Sequence, residues 1–457
     1  MSREMMEQRE QSNACINSAE SRKNKSEAQM RHSGIEWIGE IPKEWKVARI
    51  KTIFKERTEL SETGTEKLLS VSEYYGVDSR ASRIDEGEYL SRSESLVGYK
   101  KCYERDFVSN IMLAWKGSFG VTKIDGIVSP AYCVYQPSDS IYSYYYHYLF
   151  RTSLYTTRFK LFSRGIIDSR LRLYSPYFYD IEAIIPPLSE QQKIANYLDK
   201  VCGEVDEMIA LQEQMIEELK AYKQSVITEA VTKGLNPNVP IKNSGIDWIG
   251  EIPEGWKICR IKNVAALFGR IGFRGYTSDD LNKDGDGAIT LSPSNMIPMG
   301  MDFSKVTYLS WKKYEESPEI MIRNGDLLMV KTGSSYGKVS YVDNLPKEAT
   351  INPQILRVVP SINHKYLGYY MQTDLFIYQV EGGVVGGTIP TISQEKINNF
   401  HVVLPPLSEQ QSIVSYLDSK CSEIDALIAI KQAKIEELKD YKKSVIYEYV
   451  TGKKEVV

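Results

Sequence analysis

The chain has 457 residues, 42% of them hydrophobic and 26% charged, the composition of a folded chain of two or three domains. Its formal charge of −3 excludes a uniformly basic nucleic-acid binder, so any phosphate contact must come from local patches or from partners. No stretch comes near the roughly 18–20 uninterrupted apolar residues that a membrane helix needs.

In chain order, residues 1–31 read as a polar N-terminal extension. Glu4, Glu7, Glu10, Glu20 and Glu27 make it too acidic for a mitochondrial presequence, and it lacks the apolar stretch of a secretory signal. A cytoplasmic location is expected, with the extension disordered or packed as a helix on an assembly. Cys15, Cys102, Cys133, Cys202, Cys259 and Cys421 form no CxxC pair and do not cluster with histidine. They read as reduced, inert thiols rather than zinc ligands or a disulfide framework.

Ser33–Lys51, SGIEWIGEIPKEWKVARIK, returns as Ser244–Lys262, SGIDWIGEIPEGWKICRIK. Ile185–Gly234, opening IPPLSEQQKIANYLDK, returns as Leu404–Lys453, opening LPPLSEQQSIVSYLDS, with 29 of 50 positions identical. Residues 52–184 and 263–403, between these blocks, share little. A constant frame around two different inserts suits a protein whose halves contact different targets. Drift after an old duplication is the alternative, but it should have eroded the frame too.

Each Pro-Pro-Leu-Ser-Glu-Gln-Gln segment predicts a helix start, with Ser189 and Gln192, and again Ser408 and Gln411, forming a capping box. Apolar residues then follow a 3–4 rhythm, from Ile194 and Leu198 to Val226 and from Ile413 and Leu417 to Val445. Gly234 and Gly452 are placed for left-handed C-caps. Two helices of about 44 residues, roughly 65 Å each at 1.5 Å per residue, are expected to pair as a coiled coil. An antiparallel pairing would relate the repeats by a pseudo-twofold axis; a parallel one satisfies the same pattern. Nine Asp/Glu against four Lys/Arg over 188–232 make the first helix a spacer or docking surface, not a DNA contact.

The modules mix short strands (Ala288–Ser292, Asp326–Lys331 and Lys338–Asp343) with helical runs (Tyr142–Phe162 and Lys365–Tyr378), an α+β class. The tyrosines of Ser143–Tyr148 suit a core better than base stacking at this spacing. Cations cluster over Arg151–Arg172, on the glycine-rich loop Phe268–Gly275 and on the loop Lys331–Lys338. Arginine reads guanine and lysine or hydroxyl groups hold phosphates, so the candidate DNA contacts are Lys116, Ser118, Arg164, Arg170 and Arg172 in the first module. In the second they are Arg270, Arg274, Lys331, Ser334, Ser335 and Lys338. A solvated charged surface is the bland reading of any one patch. The Gly333–Lys338 loop is one residue short of a P-loop and lacks its Ser/Thr. Asp280–Gly285 opens like a calcium loop but places Leu291 where a Glu is needed. No catalytic constellation is present.

The two Trp-containing motifs and the two Pro-Pro-Leu-Ser-Glu-Gln-Gln helices at this spacing resemble the specificity subunit of type I restriction–modification systems, over roughly residues 32–457. The resemblance implies target recognition domains at 32–187 and 244–406, each reading half of a bipartite site in double-stranded DNA. Spacer helices at 188–243 (with a linker) and 407–457 would form an antiparallel coiled coil that sets the gap. It also implies a non-catalytic chain with no cofactor of its own. S-adenosylmethionine would belong to two modification (adenine methyltransferase) subunits, and ATP and Mg2+ to restriction (translocase and endonuclease) subunits. A standalone enzyme, a coiled-coil scaffold without DNA and a standalone DNA-binding protein without restriction partners are the competing readings.

Overall fold

The computed structural model describes residues 29–73, 76–79, 95–282, 284–384 and 389–456. Most of the N-terminal extension, residues 1–28, lies outside them. The chain divides into two compact units. The first runs to Gln212 and takes in Ala433–Val457; the second is Glu213–Gln432. Each long helix, Leu188–Lys233 and Leu407–Val450, therefore contributes one segment to each unit.

In the first unit a four-stranded antiparallel sheet has the order Phe54–Arg57, Tyr132–Pro137, Phe107–Asn110, Phe119–Val121. Side chains alternate across a strand, and both faces here are covered. Phe107 and Tyr135 face a core with Tyr146, Phe150, Phe159 and Phe178; Val108 and Val134 face a smaller one with Leu69, Cys102 and Val128. The pair Lys46–Arg49 and Glu182–Ile185 closes the module. The hairpin Met30–His32 with Glu40–Pro42 precedes it, so strand pairing begins before residue 32.

The second unit repeats this plan. Its sheet runs Ala265–Gly269, Ile355–Pro360, Leu327–Val330, Val339–Tyr341, closed by Lys257–Arg260 with His401–Leu404. Leu327 and Met329 face one core and Leu328 and Val330 another. What differs is the covering of the second face. Here it is a further four-stranded sheet, in which Ala288–Leu291 runs parallel to Ala349–Ile351. The first unit has the two-stranded pairs Leu69–Ser72 with Gly76–Ser79 and Lys100–Cys102 with Gly126–Val128.

Within each unit the long-helix segments run antiparallel. Tyr197 meets Tyr449 and Asp206 pairs with Lys442 in the first; Lys223 pairs with Asp425 in the second. The parallel alternative is not formed. Each cross-helix ion pair joins the same two repeat positions with the helices exchanged.

Two sequence expectations need correction. The capping box is absent. Gln191 N–H donates to the Pro187 carbonyl at 3.0 Å, and Gln410 N–H to that of Pro406 at 3.0 Å. The helices thus start at Leu188 and Leu407, and Ser189 and Ser408 stand inside the first turn. The run Tyr142–Phe162 is two helices, Ser143–Leu149 and Ser153–Phe162, and Lys365–Tyr378 likewise falls across His364–Tyr370 and Asp374–Gly383. Thr152 and Thr373 make each break: their hydroxyls donate to the carbonyls of Leu149 and Tyr370, both at 2.7 Å, which diverts the chain from the helix ladder.

The repeated motifs meet at a buried indole. Trp45, 1% exposed, donates through Nε1 to Glu190 Oε2 at 2.8 Å, and Trp256 donates to Glu409 at 2.8 Å. Gly452 and Gly234 end the partner helices at φ +73° and +77°; a Cβ there would stand 3.0 Å from the Trp45 ring and 3.1 Å from the Trp256 ring. Only glycine satisfies both the left-handed turn and the close approach. Gly452→Ala is expected to lower stability by about 1–3 kcal/mol. Gly203→Ala, mid-helix with nothing within 4 Å of the new carbon, should raise it by about 0.5–1 kcal/mol. Urea unfolding followed by circular dichroism separates the two.

Candidate nucleic-acid interface

Each candidate surface is positioned by a short helix of tyrosines. In the first unit Tyr145 Oη donates to the Val450 carbonyl at 2.7 Å and Tyr148 Oη to Asp199 at 2.6 Å. In the second, Tyr366 donates to the Val231 carbonyl at 3.1 Å and Tyr369 to Asp418 at 2.7 Å. Tyr145 and Tyr366 thereby satisfy carbonyls that a helix end leaves open, while Tyr148 and Tyr369 bind carboxylates on the long helices. Burial pushes the Tyr145 and Tyr366 hydroxyls well above their ordinary range, so they remain neutral donors. Gln191, fully buried, accepts from Tyr142 N–H at 2.8 Å and donates to the Pro186 carbonyl at 2.8 Å. Gln410 does the same with Asn363 at 3.0 Å and Pro405 at 2.9 Å. The tyrosines are core residues, not a stacking platform.

At one end of the first sheet, the hairpin linking Phe107–Asn110 to Phe119–Val121 meets the loop after Ser153–Phe162. Leu173 N–H donates to the Ile111 carbonyl at 2.9 Å. Arg164 and Arg172 exchange backbone hydrogen bonds, both 2.9 Å, and close the loop at its base. Gly165 permits this, since a Cβ would lie 2.5 Å from the Arg170 carbonyl oxygen. Lys116 and Lys160 flank the Trp115 ring, with ammonium-to-centroid distances of 5.3 and 4.7 Å, and Lys160 pairs with Asp168 at 2.9 Å. Arg164 lies over Tyr177, Arg170 is exposed on a short turn, and Arg172 donates to the Leu171 carbonyl at 2.8 Å. The structure therefore brings Lys116, Arg164, Arg170 and Arg172 together. Ser118 is buried in the hairpin and presents no hydroxyl to a ligand. Arg151, counted in the basic run, is also internal: it donates to the Glu73 and Phe119 carbonyls, both at 2.6 Å, and burial lowers it to about 10.

The second unit places Lys331, Ser334, Ser335 and Lys338 at the corresponding end of its sheet, on the hairpin between Leu327–Val330 and Val339–Tyr341. Ile392 N–H donates to the Lys331 carbonyl at 2.9 Å, the counterpart of Leu173 on Ile111. Lys338 Nζ donates to the Pro293 carbonyl at 3.3 Å. Half-buried Lys331 is held below the ordinary lysine range by desolvation, and among the described residues no carboxylate pairs with it. Such an ammonium gains more from an incoming phosphate than a solvated one does.

Arg270 is a correction. It is 6% exposed, donates to the Ile351 carbonyl at 3.2 Å and the Thr350 hydroxyl at 3.0 Å, and lies over Tyr276. Desolvation lowers its pKa. It ties a loop to the second sheet, and nearby Arg274 pairs with Glu319 at 3.4 Å. The same surface carries Trp115 and the exposed Ile166, 98% accessible, neither of them among the candidates drawn from the sequence. The string Gly-Ile-Ile between basic residues was the available signal. Among the described residues no group of His, Cys, Asp and Glu could hold a metal ion, and no helix is long and apolar enough to cross a membrane.

A model of the family described as type I restriction modification DNA specificity domain matches residues 42–221 and 253–440. The chain belongs to this family. The two matched segments are the two repeats. The chain is 23% identical over 437 residues to the type I restriction enzyme MjaIX specificity subunit of Methanocaldococcus jannaschii, covering 91% of this chain and 94% of that one. Against the EcoKI specificity subunit of Escherichia coli it is 23% identical over 424 residues, 85% and 84%. The MjaVIII specificity subunit of M. jannaschii is 26% identical over 282 residues, and there the chain spans 63% of the relative's length. A solved chain from work on assembly and conformational transition of the type I R-M system superposes with a TM-score of 0.68 at 17% identity, covering 90% of this chain and 99% of that one, so the fold is that of the family.

Arg270→Ala is expected to lower stability by about 1–3 kcal/mol, because it leaves the Ile351 carbonyl and Thr350 without donors. Lys338→Ala should change stability by less than about 0.5 kcal/mol. Thermal unfolding of the two variants distinguishes the internal cation from the surface one.

Proposed function

We propose that this chain is the non-catalytic DNA sequence-specificity subunit of a cytoplasmic type I restriction–modification enzyme, and that each unit reads one half of a bipartite site. The observation that carries this reading is a frame built twice with the same contacts, presenting unlike loops at the same end of the same sheet. Residues 111–118 with 164–172 stand in the first unit, and residues 331–338 with 389–391 in the second. Two unlike loops suit two unlike half-sites. Lys116, Arg164, Arg170, Arg172, Lys331, Ser334, Ser335 and Lys338 are the contacts in this reading, and Ser118, Arg270 and Arg274 support them. Two modification subunits, which bring S-adenosylmethionine and methylate adenine, dock on the chain. Restriction subunits bring the ATP- and Mg2+-dependent translocation and cleavage. This chain needs no cofactor of its own.

Methylome sequencing of cells carrying the system should yield one motif of two different half-sites separated by a fixed gap; a contiguous or palindromic motif would overturn the reading. With that motif in hand, Arg170→Ala is expected to cost about 1–3 kcal/mol of discrimination at one half-site only. Lys331→Ala with Lys338→Ala should weaken binding and lower the salt slope by about 1–2. Both are read by competition binding of the assembled methyltransferase.

A further inference from the structure

Because the frame is repeated, each unit is a control for the other. In the first unit Arg49 stands across the closing strand pair from Glu182, and its guanidinium pairs with Asp180 at 3.2 Å. Glu182 faces Arg158 at 3.9 Å. In the second unit the register places Arg260 across from His401, and Asn399 holds the position of Asp180. The cations Arg49 and Lys51 persist as Arg260 and Lys262, while both acids are replaced by uncharged groups.

The local geometry changes accordingly. Arg260 Nη1 and Lys262 Nζ both donate to Asn399 Oδ1, each at 3.1 Å. Two like charges converge on one neutral oxygen, and no described carboxylate lies within ion-pair distance of either. They border an open cavity of 440 Å³ that Asn263, His401, Ile246 and Ile258 also line. Burial, and then Arg260, hold His401 below the ordinary imidazole range, so it adds a neutral ring at pH 7. An arginine fork beside a lysine point charge is the pairing that suits a tetrahedral oxyanion.

We propose that this cavity in the second unit binds a phosphate group through Arg260 and Lys262, and that the first unit, with Asp180 and Glu182 in place, does not. The phosphate comes from a nucleic-acid backbone or from free phosphate.

Asn399→Asp tests this in the full chain, because it installs the acid that the first unit already carries beside Arg49. Its melting temperature should match wild type. Inorganic phosphate titrated against the chain, followed by 31P line broadening, should show roughly tenfold weaker binding in Asn399→Asp and in Arg260→Ser with Lys262→Ser. A random-sequence duplex titrated over a range of salt gives the source. A slope reduced by about 1–2 in Asn399→Asp identifies a backbone phosphate. An unchanged slope with lost phosphate binding identifies free phosphate. Equal line broadening and equal slopes in wild type and variants overturn the proposal. The phosphate titration stands whether or not the chain reads half-sites, so the two readings fail separately.

Discussion

A buried indole between two helix ends is the constraint on which each unit depends. Trp45 donates to Glu190 in the first turn of one long helix and packs against Gly452 at the end of the other. Trp256 makes the same link between Glu409 and Gly234. The indole N–H to a carboxylate is a charge-assisted bond in a site with little water, which raises its strength. It also places an acid at a helix N-terminus, where the macrodipole favours it. Residues distant in sequence are thereby fixed with respect to one another, and this explains why the Ile-Pro-x-x-Trp and Ser-Glu-Gln-Gln segments are both retained in each repeat.

From that clamp the remaining order follows outward. Gln191 and Gln410 tie the start of each long helix to the start of a tyrosine helix. The tyrosines of that helix reach the carbonyl at the end of the partner helix. The sheet packs on the other side of the same core. The hairpin that carries Lys116 or Lys331 lies at the far reach of this chain of contacts, so it can vary in sequence without disturbing the frame. An ion pair beneath each sheet shows how far drift has gone. Asp106 and Asp326 each anchor a turn, yet the arginine that pairs with Asp106 is Arg57 on an edge strand, and the one that pairs with Asp326 is Arg357 on the neighbouring strand type. The electrostatic need is constant while its donor has moved.

Much of the frame was legible because repetition and 3–4 periodicity are one-dimensional signals. The long helices and their glycine ends are as expected from them. The helix starts at 188 and 407 match the expectation, but the cap does not: Ser-x-x-Gln matches a capping box, while Pro187 and Pro406 already supply the carbonyl that begins the ladder. The tyrosine and following helices were fused because Thr152 and Thr373 are unremarkable in sequence; their breaks depend on a hydroxyl reaching a particular carbonyl. Candidate contacts fared unevenly for the same reason. Arg170 and Arg270 look alike as charges on glycine-containing loops, and only packing shows that one is exposed and the other encloses its guanidinium among carbonyls.

Three properties are legible in one dimension: one frame occurs twice, each copy ends in a long amphipathic helix, and the inserts differ. Those properties reside in the order of residues along the chain. The apolar stripe itself carries no direction; the tertiary structure fixes the antiparallel run of the helical segments through its cross-helix contacts, as the family resemblance implied. It also decided which cations face outward, since charge in a string says nothing of burial. Finally, it revealed that Lys116 and Lys331, 215 positions apart by number, sit at the same end of equivalent sheets, because strand order rather than residue spacing sets that location.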